Sequence, residues 1–164
     1  MQRVELGFDT AERIRRSAEG AYPEECCGFL IGTVGRDSQP TIIDRTVAAP
    51  NRAEGNRGRR YAIEPEVLAD LEERLEPEGR TVLGFYHSHP DLGAGPSSHD
   101  VELAWPGYLY AIVAVDNGRA GEIAAYSMNG AEREFRRLLV VTASRPREAD
   151  PTPPQGEGLT EGRP

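Results

Sequence analysis

The sequence predicts a domain of the α/β or α+β class, in which helices interleave with a mostly antiparallel sheet. Apolar residues at 3–4 spacing indicate amphipathic helices near residues 10–19 and 65–75. Runs rich in β-branched and aromatic residues indicate buried strands between and after those helices. Asn129-Gly130 lies between two such runs and is a strong hairpin signal, which favours antiparallel pairing.

The N-terminal half is predicted to contain three strands and one helix. Residues 26–32 are apolar at every position, which is typical of a central strand covered on both faces. Asp9-Thr10 can cap the helix, and Gly20 can end it. The expected elements are a short strand around Val4 and Leu6, a helix to about Glu19, the central strand, and its partner over 41–48 after a turn at 35–40.

A loop over residues 50–60 separates the two halves and contains two glycines and four arginines. Its composition predicts flexibility. Two interpretations remain open: an ordinary solvated surface, or arginines (Arg52, Arg57, Arg59 or Arg60) that meet an acidic segment of a partner.

The C-terminal half is predicted to alternate helices with strands. Pro65 fits the first turn of a helix, where its missing N–H costs little. Pro90 should end the strand that begins at Thr81, because proline cannot donate to the ladder. The expected elements are a helix from Glu64-Pro65 to Pro77, a strand from Thr81, a short helix over 98–104, and strands over 108–115, 122–128 and 132–141.

Length and composition predict one domain over residues 1–142 and a disordered tail over 143–164. The segment after residue 143 has five prolines and one large apolar residue, Leu159, so burial cannot offset the entropy cost of ordering it. The sequence gives no indication of the oligomeric state.

The charge of the chain argues against a nucleic-acid partner. The net charge is −8, and all nineteen basic residues are arginine, whereas phosphate binding requires a basic face. No signal peptide and no apolar span of about 18 residues or more is present, so we expect a cytoplasmic protein without membrane contact. The adjacent Cys26 and Cys27 cannot form an ordinary disulfide with each other, which fits a reducing compartment.

The segment from Thr81 to Asp100 carries the clearest functional signal. His87 and His89 lie two residues apart on a predicted strand, so both imidazoles point to the same face. Ser97-Ser98-His99-Asp100 is predicted to start a helix, whose dipole favours a carboxylate in its first turn. Two imidazoles and one carboxylate that converge would form an open three-ligand site, as catalytic Zn²⁺ uses.

The order His87-Ser88-His89, a seven-residue spacer and Ser97-x-x-Asp100 resembles the JAMM motif of the JAB1/MPN/Mov34 metalloproteases. Pro23-Glu24-Glu25-Cys26-Cys27-Gly28 is similar to that family's P-x-E-x-C-G segment, with Glu25 in register and Glu24 as the shifted alternative. The resemblance implies a three-layer α-β-α, cytidine-deaminase-like fold with a curved mixed sheet. It also implies one Zn²⁺ per chain at the edge of that sheet.

The resemblance implies a role for each matching residue. His87, His89 and Asp100 would hold Zn²⁺, which lowers the pKa of bound water toward about 7. Glu25 would take a proton from that water and return it to the leaving nitrogen, and Ser97 would donate a hydrogen bond to the oxyanion. Neighbouring helical residues point about 100° apart, so one site would accept only one of His99 and Asp100. The register of the family motif selects Asp100, which leaves His99 at the surface or behind the ligands.

The family resemblance also implies the substrate. We expect hydrolysis of a peptide or isopeptide bond after the C-terminal glycine of a ubiquitin-like protein, with a bacterial sulfur-carrier protein as the partner. Two alternatives belong to other classes. One is a cysteine hydrolase that uses Cys26 or Cys27 with His87 as its base, and the other is an MPN scaffold without metal or activity.

Overall fold

A computed structural model describes residues 3–36 and 38–143 of the chain. Its centre is a single eight-stranded mixed sheet flanked by helices. In chain order the elements are β1 (Arg3–Leu6), α1 (Phe8–Ala21), β2 (Cys27–Thr33), β3 (Thr41–Ala49), α2 (Pro65–Leu75), a short 3₁₀ turn (Glu76–Glu78), β4 (Thr81–Pro90), α3 (Ser98–Leu103), β5 (Leu109–Asp116), β6 (Arg119–Asn129), β7 (Glu134–Arg137) and β8 (Leu139–Thr142).

The strands follow the order β7-β6-β5-β4-β2-β3-β1-β8 across the sheet. Antiparallel pairs join β2 to β3 and β4, and join β6 to β5 and β7. Parallel pairs join β1 to β3 and β8, and β4 to β5. Four of the seven pairings in the described sheet are antiparallel, so the sheet is mostly antiparallel as expected, and the three parallel pairings make it the mixed sheet that the family resemblance implies.

Helices cover both faces of the sheet, which confirms the predicted three layers. On one face, Ala11, Ile14 and Ala18 of α1 pack into a core with Leu30 and Ile43. On the other face the apolar side of α2 packs into a second core with β2, β4 and β5, through Leu68, Leu71 and Leu75 against Phe29, Phe85 and Ile112. None of the helices in the part of the chain described here is long and apolar enough to cross a membrane.

The ends of α1 differ from the prediction. The helix starts at Phe8, and its N-cap is Gly7, whose carbonyl accepts the Ala11 N–H at 2.9 Å. The predicted cap Asp9-Thr10 therefore lies inside the first turn. There the Asp9 carboxylate still interacts favourably with the positive end of the helix dipole. The helix also continues through Gly20 to Ala21.

The predicted final strand over 132–141 is wrong, because it is two strands at opposite edges of the sheet. β7 pairs with β6, whereas β8 pairs with β1, and only Leu138 separates them. The buried Leu138 also donates its N–H to the Ala125 carbonyl at 2.8 Å. The sheet must curl for one residue to connect its two edges, so it approaches a closed barrel. The predicted tail lies outside the described residues from 144 onward.

Candidate metal centre

Strand β4 carries His87 and His89 into the interior, between β2 and β5. The run before them is apolar and buried on both faces, which explains why the strand lies at the centre of the sheet. Because the two histidines are two residues apart, both rings point to one side, and their Nε2 atoms are 3.0 Å apart. Both side chains are buried.

The third group is the carboxylate of Asp100, which α3 supplies from its first turn. Ser97 is the N-cap of this helix, and its side chain accepts the Asp100 N–H while the Asp100 carboxylate accepts the Ser97 N–H. This capping box fixes the rotamer of Asp100. Its Oδ1 lies 3.1 Å from His87 Nε2, and its Oδ2 lies 3.3 Å from His89 Nε2.

The orientation of the imidazoles leaves their Nε2 atoms available as ligands. The Gly93 carbonyl lies 3.1 Å from His89 Nδ1 and can only accept, so Nδ1 carries the hydrogen and Nε2 of the neutral ring has a lone pair. That lone pair faces a second ring nitrogen and a carboxylate, an arrangement that is repulsive without a positive charge between them. Two imidazoles and a carboxylate whose ligand atoms lie within 4.8 Å of one another fit a divalent metal ion.

In the metal-free site, a proton on the His89 imidazole supplies part of the positive charge that a metal ion would supply beside Asp100. Burial lowers the pKa of His87, which keeps its imidazole neutral and able to ligate. Although burial acts against the charged form of Asp100, hydrogen bonds from His87 and His89 hold its pKa well below the ordinary range. For His89, the Asp100 carboxylate outweighs burial and raises the pKa, so a metal ion would have to displace a proton there.

Glu25 is a buried carboxylic acid that lies just before β2. Burial raises the pKa of its carboxyl to about 7, against the opposing charges of His89 and Arg59. An acid with this pKa can accept and release a proton near neutral pH, which is the property a general base requires. The shifted alternative Glu24 is exposed, so the structure favours Glu25 for this role.

Comparison with known proteins agrees with this geometry. The family described as prokaryotic homologs of the JAB domain matches residues 9–148, which is most of the chain. The chain belongs to the JAB domain family. A desampylase from Haloferax volcanii is 36% identical over 143 residues, covering 84% of this chain and 95% of the relative.

Two further similarities are more limited. A probable TtuB-protein conjugate cleaving protease from Thermus thermophilus is 33% identical over 78 residues, which cover 48% of this JAB domain and 52% of the relative. A crystal structure of a JAB1/MPN domain protein from Archaeoglobus fulgidus superposes with a TM-score of 0.54 at 21% identity, covering 86% of this chain and 100% of that one. At that identity the likeness shows the fold alone.

Two residues that contact the candidate site residues of this JAB domain were not predicted from the sequence. The ring of Tyr61 stacks on His87, with centroids 4.5 Å apart and an angle of 22° between the planes. Asn51 donates a hydrogen bond to the Glu25 carbonyl at 3.0 Å. Both residues lie in or next to the loop that was predicted to be flexible. Their distance in sequence from the motif residues follows no helix or strand period, so the sequence pattern does not mark them as neighbours of the site.

The other candidate residues lie in different environments, and Ser97 lies next to the three converging side chains. The Ser97 hydroxyl lies 2.7 Å from Asp100 Oδ2, beside the candidate metal ligands. His99 is half-buried and is not one of the three converging ligands. Cys26 and Cys27 are buried free thiols, and burial raises the pKa of Cys27 to about 12, so its reactive thiolate form is suppressed at neutral pH.

An apolar pocket opens beside the metal centre of the JAB domain. Its volume is about 210 Å³, and Tyr61 joins it to the His87 ring. Two of its lining side chains, Leu103 and Trp105, remain largely exposed to solvent. The other lining residues are Ala62, Ile63, Phe85 and Tyr110.

Proposed function

We propose that this JAB domain is a zinc-dependent metallopeptidase that hydrolyses the peptide or isopeptide bond after the C-terminal glycine of a ubiquitin-like protein. The observation that carries the proposal is the convergence of His87, His89 and Asp100 beside the buried acid Glu25. The names of the two curated relatives, a desampylase and a conjugate cleaving protease, support cleavage of protein conjugates as the reaction class.

His87, His89 and Asp100 are the residues that would hold the zinc, and they leave a coordination position for water or substrate. When bound, zinc polarises the scissile carbonyl and makes water a stronger nucleophile near neutral pH. The protein supplies rigid ligands, because β4 is central in the sheet and the capping box of α3 fixes Asp100. A preformed ligand set lowers the cost of assembling the centre.

Glu25 would transfer the proton. Its carboxylate takes a proton from the attacking water as the new C–O bond forms, and then gives a proton to the amine as the C–N bond breaks. Burial brings its pKa in the metal-free protein to about 7, near the working pH of a neutral compartment, which suits one group to both steps. The same group therefore returns to its starting state in each cycle.

Ser97 would stabilise the oxyanion. Its hydroxyl now lies 2.7 Å from Asp100 Oδ2, but the Ser97 backbone N–H also holds this oxygen at 2.7 Å. The hydroxyl can therefore turn to the substrate oxygen while the carboxylate stays in position. A donor that acts at the developing charge contributes about 10²- to 10³-fold to the rate in comparable sites.

For the substrate, we propose a ubiquitin-like sulfur-carrier protein whose tail ends in glycine. The scissile carbonyl must reach a buried centre, and a residue without Cβ allows the closest backbone approach. The net charge of −8 disfavours polyanionic substrates such as nucleic acids and leaves protein conjugates as the supported class.

The decisive experiment measures cleavage and zinc together. The purified chain is incubated with a carrier extended past Gly-Gly and with a carrier–lysine conjugate, and the products are weighed by mass spectrometry. We expect release at the glycine, loss of activity with phenanthroline, and full activity after iodoacetamide. Iodoacetamide inhibition with resistance to phenanthroline would indicate a cysteine hydrolase instead.

Two variants separate zinc binding from catalysis. His89→Ala should lose zinc and activity, whereas Glu25→Gln should retain zinc, one ion per chain, and lose activity. A wild-type chain that binds no zinc and leaves every conjugate intact would contradict the proposal and favour a scaffold.

A further inference from the structure

Residues 51–62 form a segment that lies against the candidate metal centre, and we call this segment the brace. It contacts both sides of the site. The Arg57 carbonyl accepts the Glu25 N–H at 2.8 Å, and Arg59 donates to the Pro90 carbonyl at 3.2 Å, at the end of the strand that carries the histidines. Tyr61 places its ring on His87. The brace therefore reaches the site through the Arg57 carbonyl, the Arg59 side chain and the Tyr61 ring.

Asn51 holds the brace together through its side-chain amide. Its Nδ2 donates to the carbonyls of Glu25 at 3.0 Å and Arg60 at 2.9 Å. Its Oδ1 accepts the N–H groups of Ala53 at 2.9 Å and Ala62 at 3.2 Å. All four hydrogen-bonding valences of the amide are thus used, and all on main-chain atoms.

These contacts matter because Glu25 lies outside the sheet. Strand β2 starts at Cys27, so the ladder does not fix the Glu25 backbone. Its N–H and its carbonyl are both held by the brace, through Arg57 and Asn51. The brace therefore holds the Glu25 main chain, from which the carboxyl extends.

The same amide also positions Tyr61. The two residues that flank Tyr61, Arg60 and Ala62, are both bonded to Asn51. A shift of the Asn51 side chain would move the Glu25 main chain and the ring that packs on His87 together.

We propose that Asn51 is a positioning residue for the hydrolytic reaction, which fixes Glu25 and Tyr61 relative to the metal ligands. This inference rests on the proposed function. Asn51 does not need to touch the substrate, so its loss should lower kcat and leave KM unchanged. A displacement of about 1 Å in an acid–base group can cost about 100-fold in rate, so we expect kcat to fall about 10- to 100-fold.

The chain offers a matched pair of variants. Asn51→Asp keeps the volume and the two accepted bonds but removes both donors, and it sets a carboxylate against the carbonyls of Glu25 and Arg60. Asn56→Asp makes the same chemical change in the same segment. The Asn56 side chain accepts from the Gly58 N–H at 3.1 Å through Oδ1, a bond that the carboxylate retains.

The experiment compares wild type, Asn51→Asp and Asn56→Asp in the full, zinc-loaded chain. Four quantities are measured: kcat and KM on the carrier conjugate, zinc content, and amide hydrogen exchange at Glu25. We expect Asn51→Asp to keep its zinc and its KM, to lose kcat, and to exchange the Glu25 amide at least about 10-fold faster. Asn56→Asp should match wild type. Asn51→Ser, which is too short to bridge the same atoms, provides a second variant and the same expected result if the aspartate prevents folding.

The outcomes separate this inference from the proposed function. A kcat within twofold of wild type in folded Asn51→Asp, or unchanged exchange at Glu25, overturns the role of Asn51 and leaves the hydrolase intact. An equal loss in Asn56→Asp also overturns it, because the effect would then be a general property of the segment. If wild type cleaves nothing, the hydrolase fails, and the exchange data alone decide whether Asn51 holds Glu25.

Discussion

At the scale of single residues, the burial that suits Glu25 to its proposed catalytic role also lowers the stability of the folded protein near neutral pH. Its carboxyl is buried, and its pKa in the folded protein is about 7 against an ordinary value of 4.5. The folded protein therefore binds this proton more tightly than the unfolded chain does. The free energy of unfolding should fall as the pH rises from 4.5 to 7, and the cost is then constant at higher pH.

Glu25→Gln should therefore stabilise the metal-free protein at pH 8. Glutamine keeps the shape without the charge, and the gain is at most about 3.5 kcal/mol, from about 1.4 kcal/mol per pKa unit. Urea unfolding of both chelated proteins at pH 5 and pH 8 measures the difference, which should be much smaller at pH 5. An equal difference at both values would show that the acid is not held neutral by burial.

Ser97 has a structural role as the N-cap of α3 and a proposed catalytic role, and measurements of stability and kcat can separate the two. Ser97→Ala removes the N-cap of α3, which should cost about 1 kcal/mol of stability. It also removes the proposed oxyanion donor, so kcat should fall about 10²- to 10³-fold. Ser98→Ala changes an exposed side chain outside the capping box and should alter neither quantity. If Ser97→Ala loses stability but retains kcat, Ser97 acts only as a cap.

The sequence predicted those parts of the candidate site that follow from the local periodicity of a strand or a helix. The spacing of His87 and His89 on one strand and the capping sequence Ser97-x-x-Asp100 follow from the periodicities of strand and helix, and the structure brings these residues together. Asn51 and Tyr61 reach the site only through the path of a loop. No periodicity encodes that path, so composition alone predicted flexibility.

At the scale of elements, the position of β4 depends on its close approach to β5. A Cβ on Gly84 would lie 1.9 Å from the Leu109 carbonyl oxygen, so only glycine fits there without backbone movement. Gly84→Ala should therefore cost about 1–3 kcal/mol or more of stability. It should also weaken zinc binding, because His87 lies three residues further along the same strand.

Gly20→Ala is the matched control for Gly84→Ala. Gly20 lies in α1, and a Cβ added there would meet nothing within 4 Å, so alanine should gain roughly 0.5–1 kcal/mol through its higher helix propensity. Thermal unfolding and zinc titration of both variants test the pair. Equal effects of the two substitutions would rule out the close approach as the cause.

At the scale of the whole molecule, the family resemblance implied a curved mixed sheet, but the local sequence pattern did not reveal the change of strand partner at Leu138. Residues 132–141 form a plausible single strand by local pattern. The chain instead changes partners at Leu138, from β6 near one edge of the sheet to β1 near the other. Pairing with β1 brings together residues far apart in sequence, and only the curvature of the complete sheet makes that pairing available.

Leu138 should therefore contribute far more to stability than its neighbour Leu139. Leu138 is 6% exposed and packs in the core under α1, whereas Leu139 is 48% exposed. Leu138→Ala should cost about 2–5 kcal/mol through lost burial and the cavity that remains. Leu139→Ala should stay within about 0.5 kcal/mol of wild type. Urea unfolding of the two variants at one pH measures both values, and similar losses would mean that the junction between β7 and β8 does not anchor the two edges of the sheet to the core.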